Sequence, residues 1–87
     1  MIFSVAVEVR PLEGIANPEG LTIERALPAL GFTGVRGVRV GKLLRFELDA
    51  VDEHHARREV EQMCEHLLAN PVIERADIHL EAVGGTQ

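Results

Sequence analysis

The chain has no tryptophan and no tyrosine, and Phe3, Phe32 and Phe46 are its only aromatic side chains apart from the histidines. A core built from this sequence must therefore be aliphatic, with close packing of Val, Leu and Ile in place of large aromatic burial. Cys64 is the only cysteine, which excludes an intrachain disulfide and a cysteine-based zinc site within one chain. Basic residues are scarce as well: nine Lys and Arg against 14 Asp and Glu give a net charge of −5. A nucleic-acid partner calls for clustered cations and exposed stacking rings, and both are in short supply. No apolar run is long enough to span a bilayer, and no basic segment with an apolar signal run follows Met1, so a cytoplasmic protein is expected.

What remains is 87 residues, 46% hydrophobic. That is one domain, spanning 1–87, near the size where a single core gives marginal stability. So much apolar surface in so short a chain favours a homo-oligomer.

Residues 2–10 alternate cleanly, with Phe3, Val5, Val7 and Val9 on one face and Ser4, Ala6, Glu8 and Arg10 on the other. This predicts a strand with one buried face, ended by Pro11. Asn17-Pro18-Glu19-Gly20 is a helix start: Asn17 caps, Pro18 fits the first turn and Glu19 faces the positive end. Ile23, Ala26, Leu27 and Leu30 supply the apolar stripe, and Gly31 suits a C-terminal cap. Pro28 removes a backbone bond inside this helix and predicts a kink or a loosened last turn.

In residues 35–49, Val38, Val40, Leu44, Phe46 and Leu48 share one parity. The pattern fits one long bent strand, or a hairpin turning at Gly41-Lys42-Leu43 with Val40 opposite Leu44; two strand segments broken near Gly41 are favoured. Asp52 is the preferred cap of a second helix, whose stripe is Ala56, Val60, Met63, Cys64, Leu67 and Leu68. Asn70-Pro71 stops that helix, and Val72 and Ile73 are expected to start the last strand at once. In that strand Ala76, Ile78, Leu80 and Ala82 oppose Arg75, Asp77, His79 and Glu81, and residues 84–87 are expected to fray.

The order strand-helix-strand-strand-helix-strand, with two stripes to bury on one sheet face, predicts an α+β two-layer sandwich of ferredoxin-like type. That fold hosts many activities and names none.

Candidate chemistry is sparse. His55, Glu59, Gln62 and His66 fall on one helix stripe, but their spacing matches no metal motif and a solvated face explains them better. Cys64 on the apolar stripe reads as an inert thiol. No serine-nucleophile motif, phosphate loop or dinucleotide fingerprint is present, so no catalytic residue and no metal or cofactor site is assigned. Val38-Arg39-Val40-Gly41-Lys42 sets two cations beside a glycine, where a bend would present both at accessible backbone. A polar strand edge protected by lysine is the favoured reading of Arg39 and Lys42 from chemistry alone.

Several stretches carry a resemblance. Leu67-Leu68-Ala69-Asn70-Pro71-Val72-Ile73-Glu74, preceded by Met63-Cys64-Glu65, resembles the signature of the S-subunit (PurS) family of multi-subunit phosphoribosylformylglycinamidine synthase. Asn17-Pro18-Glu19-Gly20 is similar to that family's Asp-Pro-Gln-Gly helix start, and Ala26-Leu27 with Leu30-Gly31-Phe32 resembles its first helix end. Val38-Arg39-Val40-Gly41-Lys42 matches its Val-Arg-x-Gly-Lys segment. Departures are Asn17 and Glu19 for Asp and Gln, His66 for a usual lysine, and Pro28 within the first helix.

The resemblance implies a non-catalytic subunit of a glutamine-dependent, ATP-consuming C–N ligase in purine synthesis. It would associate with itself as a homodimer or tetramer and bridge a large synthetase subunit to a glutaminase subunit for ammonia transfer. ATP and magnesium would be used by the large subunit, with no cofactor in this chain. Arg39, Lys42 and Asn70 lie in the best-matching stretches and are the partner-contact candidates. A competing reading is a ligand-sensing module of the same fold that binds a small molecule at a dimer interface.

Overall fold

A computed structural model describes residues 1–83; the frayed tail expected at 84–87 lies outside them. The elements are β1 (Ile2–Pro11), α1 (Pro18–Ala26), β2 (Lys42–Asp49), α2 (Glu53–Met63) and β3 (Glu74–Ala82). A 3-10 turn, Leu27–Leu30, extends α1, and a π-turn, Cys64–Leu68, extends α2. The sheet is antiparallel in the order β2-β1-β3. This is the strand order of a ferredoxin-like sheet in which, among the described residues, no strand lies beside β2.

β1 is central because both of its edges are paired and one of its faces is wholly apolar. Phe3, Val5, Val7 and Val9 are each at most 1% exposed, and the register sets Leu48, Phe46 and Leu44 of β2 beside the first three. Ala82, Leu80, Ile78 and Ala76 flank the same stripe from β3. Ala56, Val60 and Cys64 of the second helix close it from above. The opposite face carries Glu8, Arg10, Arg45, Glu47, Asp77 and Glu81, in keeping with the alternation.

Both helix starts follow the capping reading. The Asn17 Oδ1 accepts from the Gly20 N–H at 2.9 Å, and the Asp52 Oδ1 accepts from the His55 N–H at 2.8 Å. That backbone bond, with a second from the His55 ring, holds the Asp52 carboxyl below its ordinary value. Pro28 does what its position predicts, since α1 passes into the 3-10 turn before it and ends at Gly31, whose φ is 97°.

Four expectations are corrected. Only α2 packs on the sheet: no residue of α1 enters the core, Leu21 and Ile23 stay exposed, and Leu30 beyond it is 71% exposed. Residues 35–41 form neither a hairpin nor part of a long strand, and Val40 does not pair with Leu44. Their backbone is occupied otherwise. Asn17 Nδ2 donates to the Val40 carbonyl at 3.0 Å, Val40 N–H donates to Asn17 Oδ1 at 3.3 Å, and Val38 N–H donates to Glu24 Oε1 at 3.0 Å. Gly20 lets the helix lie against this segment, since a Cβ there would collide with the Val38 carbonyl. Leu67 leaves the apolar stripe and is 84% exposed, because the π-turn's wider winding rotates it outward while Leu68 stays on the core. Val72 and Ile73 belong to a turn, and the strand begins at Glu74.

Two substitutions test this account of stability. Phe3→Ala should lower the unfolding free energy by about 3–5 kcal/mol, whereas Val51→Ala, at an exposed site, should stay within about 0.5 kcal/mol in urea titration. Asn17→Ala removes a cap and both bonds to Val40, and should cost about 1–2 kcal/mol.

Candidate functional site

Where β1 ends and β2 and β3 begin, the chain forms an open groove of about 870 Å³. Arg10 and Pro11 end β1 on one wall, Glu13 comes from the following loop, residues 39–43 make the second wall, and Arg75 opens β3. The register creates this convergence by placing Arg10 directly opposite Arg75. Four cations, Arg10, Arg39, Lys42 and Arg75, line the groove against two carboxylates, Glu8 and Glu13. In a chain of net charge −5 the groove is thus a local positive region.

The cations are held differently. Arg10 is ion-paired with Asp77, and the Arg75 Nε lies 3.6 Å from the other oxygen of the same carboxylate. The Arg39 guanidinium folds back, with Nη2 3.3 Å from the Leu12 carbonyl and 3.5 Å from that of Ile15. It therefore clamps the loop that follows β1, which gives this side chain a fixed direction. Among the described residues Lys42 has neither an ion pair nor a side-chain hydrogen bond. Gly41 is required where it stands, because a Cβ would come within 2.6 Å of the Val9 carbonyl oxygen. The arrangement suits recognition of carboxylate or phosphate oxygens from an open surface.

The structure brings Arg39 and Lys42 together in this groove and leaves Asn70 out of it. Asn70 instead organises its own turn: Oδ1 accepts from the Val72 N–H at 3.1 Å, and its N–H donates to Glu74 Oε1 at 2.7 Å. Arg10 and Arg75 complete the groove and are absent from the sequence-based candidates. Their polar parity was visible, but only the β1–β3 register makes them neighbours. Cys64 is buried under α2, and burial pushes its thiol up from the ordinary value, away from nucleophile behaviour. Among the described residues no three His, Cys, Asp or Glu side chains gather as metal ligands, and no helix is long and apolar enough to cross a membrane.

Comparison with known proteins gives one family. The PurS profile, described as phosphoribosylformylglycinamidine (FGAM) synthase, matches residues 4–82. The phosphoribosylformylglycinamidine synthase subunit PurS of Archaeoglobus fulgidus is 44% identical over 78 residues, covering 90% of this chain and 95% of its own. The crystal structure of Methanocaldococcus jannaschii PurS, one of the subunits of formylglycinamide ribonucleotide amidotransferase, is 39% identical with a TM-score of 0.84. The match covers 94% of this chain and 99% of that one. A chain of the PurLQS structure from Thermotoga maritima superposes with a TM-score of 0.85 at 32% identity, over 93% of this chain and 99% of that one. With the fold shared along nearly its whole length and the family profile covering all but its ends, the chain belongs to the PurS family of phosphoribosylformylglycinamidine synthase subunits.

Proposed function

We propose that this chain is the non-catalytic S subunit of phosphoribosylformylglycinamidine synthase in purine biosynthesis. It joins itself in a homo-oligomer and bridges the ATP-dependent synthetase subunit and the glutaminase subunit, so that ammonia passes between them without loss. The observation that carries this reading is the full-length likeness to a chain of the Thermotoga maritima PurLQS structure. Two features of the chain support it: its one thiol is buried with a raised pKa, and its most distinctive surface is a cationic groove suited to docking. ATP and magnesium belong to the synthetase subunit in this reading, and the place of action is the cytoplasm.

The groove is the surface assigned to an acidic partner. Arg39 and Lys42 are its contact residues from one wall, joined by Arg75 from β3. Asn70 is a separate contact, with its Nδ2 as the donor left over once Oδ1 has closed the turn.

Co-purification tests the assignment. The chain should capture the synthetase and glutaminase subunits from extract, and the purified chain alone should turn over neither glutamine nor ATP. Capture of a small anion without either subunit would favour the ligand-sensing alternative instead. Lys42→Ala should weaken assembly by about 1.5–3 kcal/mol with an unchanged melting temperature, and Arg39→Ala by a similar amount. Asn70→Ala should also lose roughly 1 kcal/mol of folding stability through its turn. Assembly of the Lys42 and Arg39 variants at the parent's affinity would remove the groove from the interface.

A further inference from the structure

The connection from α2 to β3 is tightly bonded, yet it shows its largest side chains to solvent. The Asn70 carbonyl accepts from the N–H groups of Ile73 at 3.0 Å and Glu74 at 2.7 Å, and Ala69 N–H donates to the Cys64 carbonyl at 3.1 Å. Together with the bonds from Asn70 to Val72 and Glu74, these fix the backbone of residues 69–74. Leu67 is nevertheless 84% exposed and Val72 78%, and Ile73, next in the chain, is exposed as well. A lone exposed aliphatic side chain is ordinary, but a cluster on fixed backbone is a different case, because a partner covering it has no loop to order. The turn also runs directly into the cationic groove. Leu12 N–H donates to the Ile73 carbonyl at 2.9 Å, and Leu12 lines the groove. Arg75, two residues beyond Ile73, is one of the groove's cations, and Leu43 is an exposed aliphatic side chain along it. Apolar side chains thus run from the turn into the groove, with Arg39, Lys42 and Arg75 among them. An apolar centre with charged groups around it is how a protein interface is built.

Building on the bridging reading above, we propose that residues 67–73 and the groove form one docking surface for a single larger subunit, which brings aliphatic side chains flanked by carboxylates. Leu67 and Val72 are the apolar anchors, and the carboxylates reach Arg75 and Lys42. Charge selects this occupant. A second copy meeting the surface with its own about a two-fold axis would set cations against cations, whereas an acidic amphipathic segment meets opposite charge throughout. Asn70, which lies outside the groove, serves the same partner through the turn that it organises.

Titration of the whole chain against the synthetase and glutaminase subunits together tests the anchors. Leu67→Ser and Val72→Ser should each raise the dissociation constant of assembly about tenfold, and Val72→Glu should raise it further by adding a carboxylate where carboxylates arrive. All three should keep the parent's circular dichroism, melting temperature and sedimenting mass, because these side chains are exposed in the chain alone. Val51→Glu, 77% exposed on the loop before α2, should assemble like the parent. A photo-reactive residue in place of Val72 and, separately, of Lys42 should cross-link to the same subunit in the assembled complex. Assembly of the Leu67 and Val72 variants at the parent's affinity, or an equal loss with Val51→Glu, overturns the proposed surface while leaving the bridging reading in place. So do cross-links from the two positions to different subunits, or a cross-link from position 72 to a second copy of the chain. A parent chain that assembles with neither subunit overturns both.

Discussion

Everything in this chain is arranged around one buried stripe, Phe3, Val5, Val7 and Val9 on β1. With no tryptophan or tyrosine to bury, the fold depends on close packing of small aliphatic groups. The stripe obtains it by lying on the central strand, with β2 and β3 on its flanks and Ala56, Val60 and Cys64 above. Alanine at 56 matters as much as the larger residues, since its small side chain lets α2 come close to the sheet. The ends of the same strand then locate the groove: Arg10, near the end of β1, meets Arg75 because the register that packs Val9 beside Ala76 places them in the next row.

Of the two helices of a two-layer sandwich, α1 is missing from that core, and the reason is polar. α1 is fastened to residues 38–40 by Asn17 and Glu24 side chains and by the close approach at Gly20. Those bonds give the arm a definite position without burying its apolar face, and they occupy the backbone groups on one side of the segment. The account of function follows from this division. One part of the chain is complete around β1, and the other part carries exposed Leu30 and Phe32 and a cationic groove. A bridging subunit has to offer surfaces of that kind.

The division also decides what the sequence made legible. Strict alternation in β1, the parity of β2 and β3, the caps at Asn17 and Asp52 and the effect of Pro28 are local patterns, and each appears where its chemistry places it. Arg39 and Lys42 stood out because they flank a glycine in a stretch that resembles the family, and the structure places both along the groove. The failures come from competition beyond the local pattern. Val38 and Val40 have strand parity, but two side chains of α1 take their backbone bonds first. Leu67 sits at helical spacing, but a π-turn changes the winding just before it. Arg10 and Arg75 stand 65 residues apart in the chain and become neighbours only through a register.

Backbone hydrogen exchange, followed residue by residue, probes this division most directly. The account places the amides of Val5 and Val7 in a complete core, so they should exchange slowly at every protein concentration. The amides of Arg45 and Glu47 point away from β1, with no strand of the described residues beyond them, so they should exchange quickly in monomeric protein. Slow exchange at Arg45 and Glu47 in a demonstrated monomer would contradict the account, as would fast exchange at Val5 and Val7.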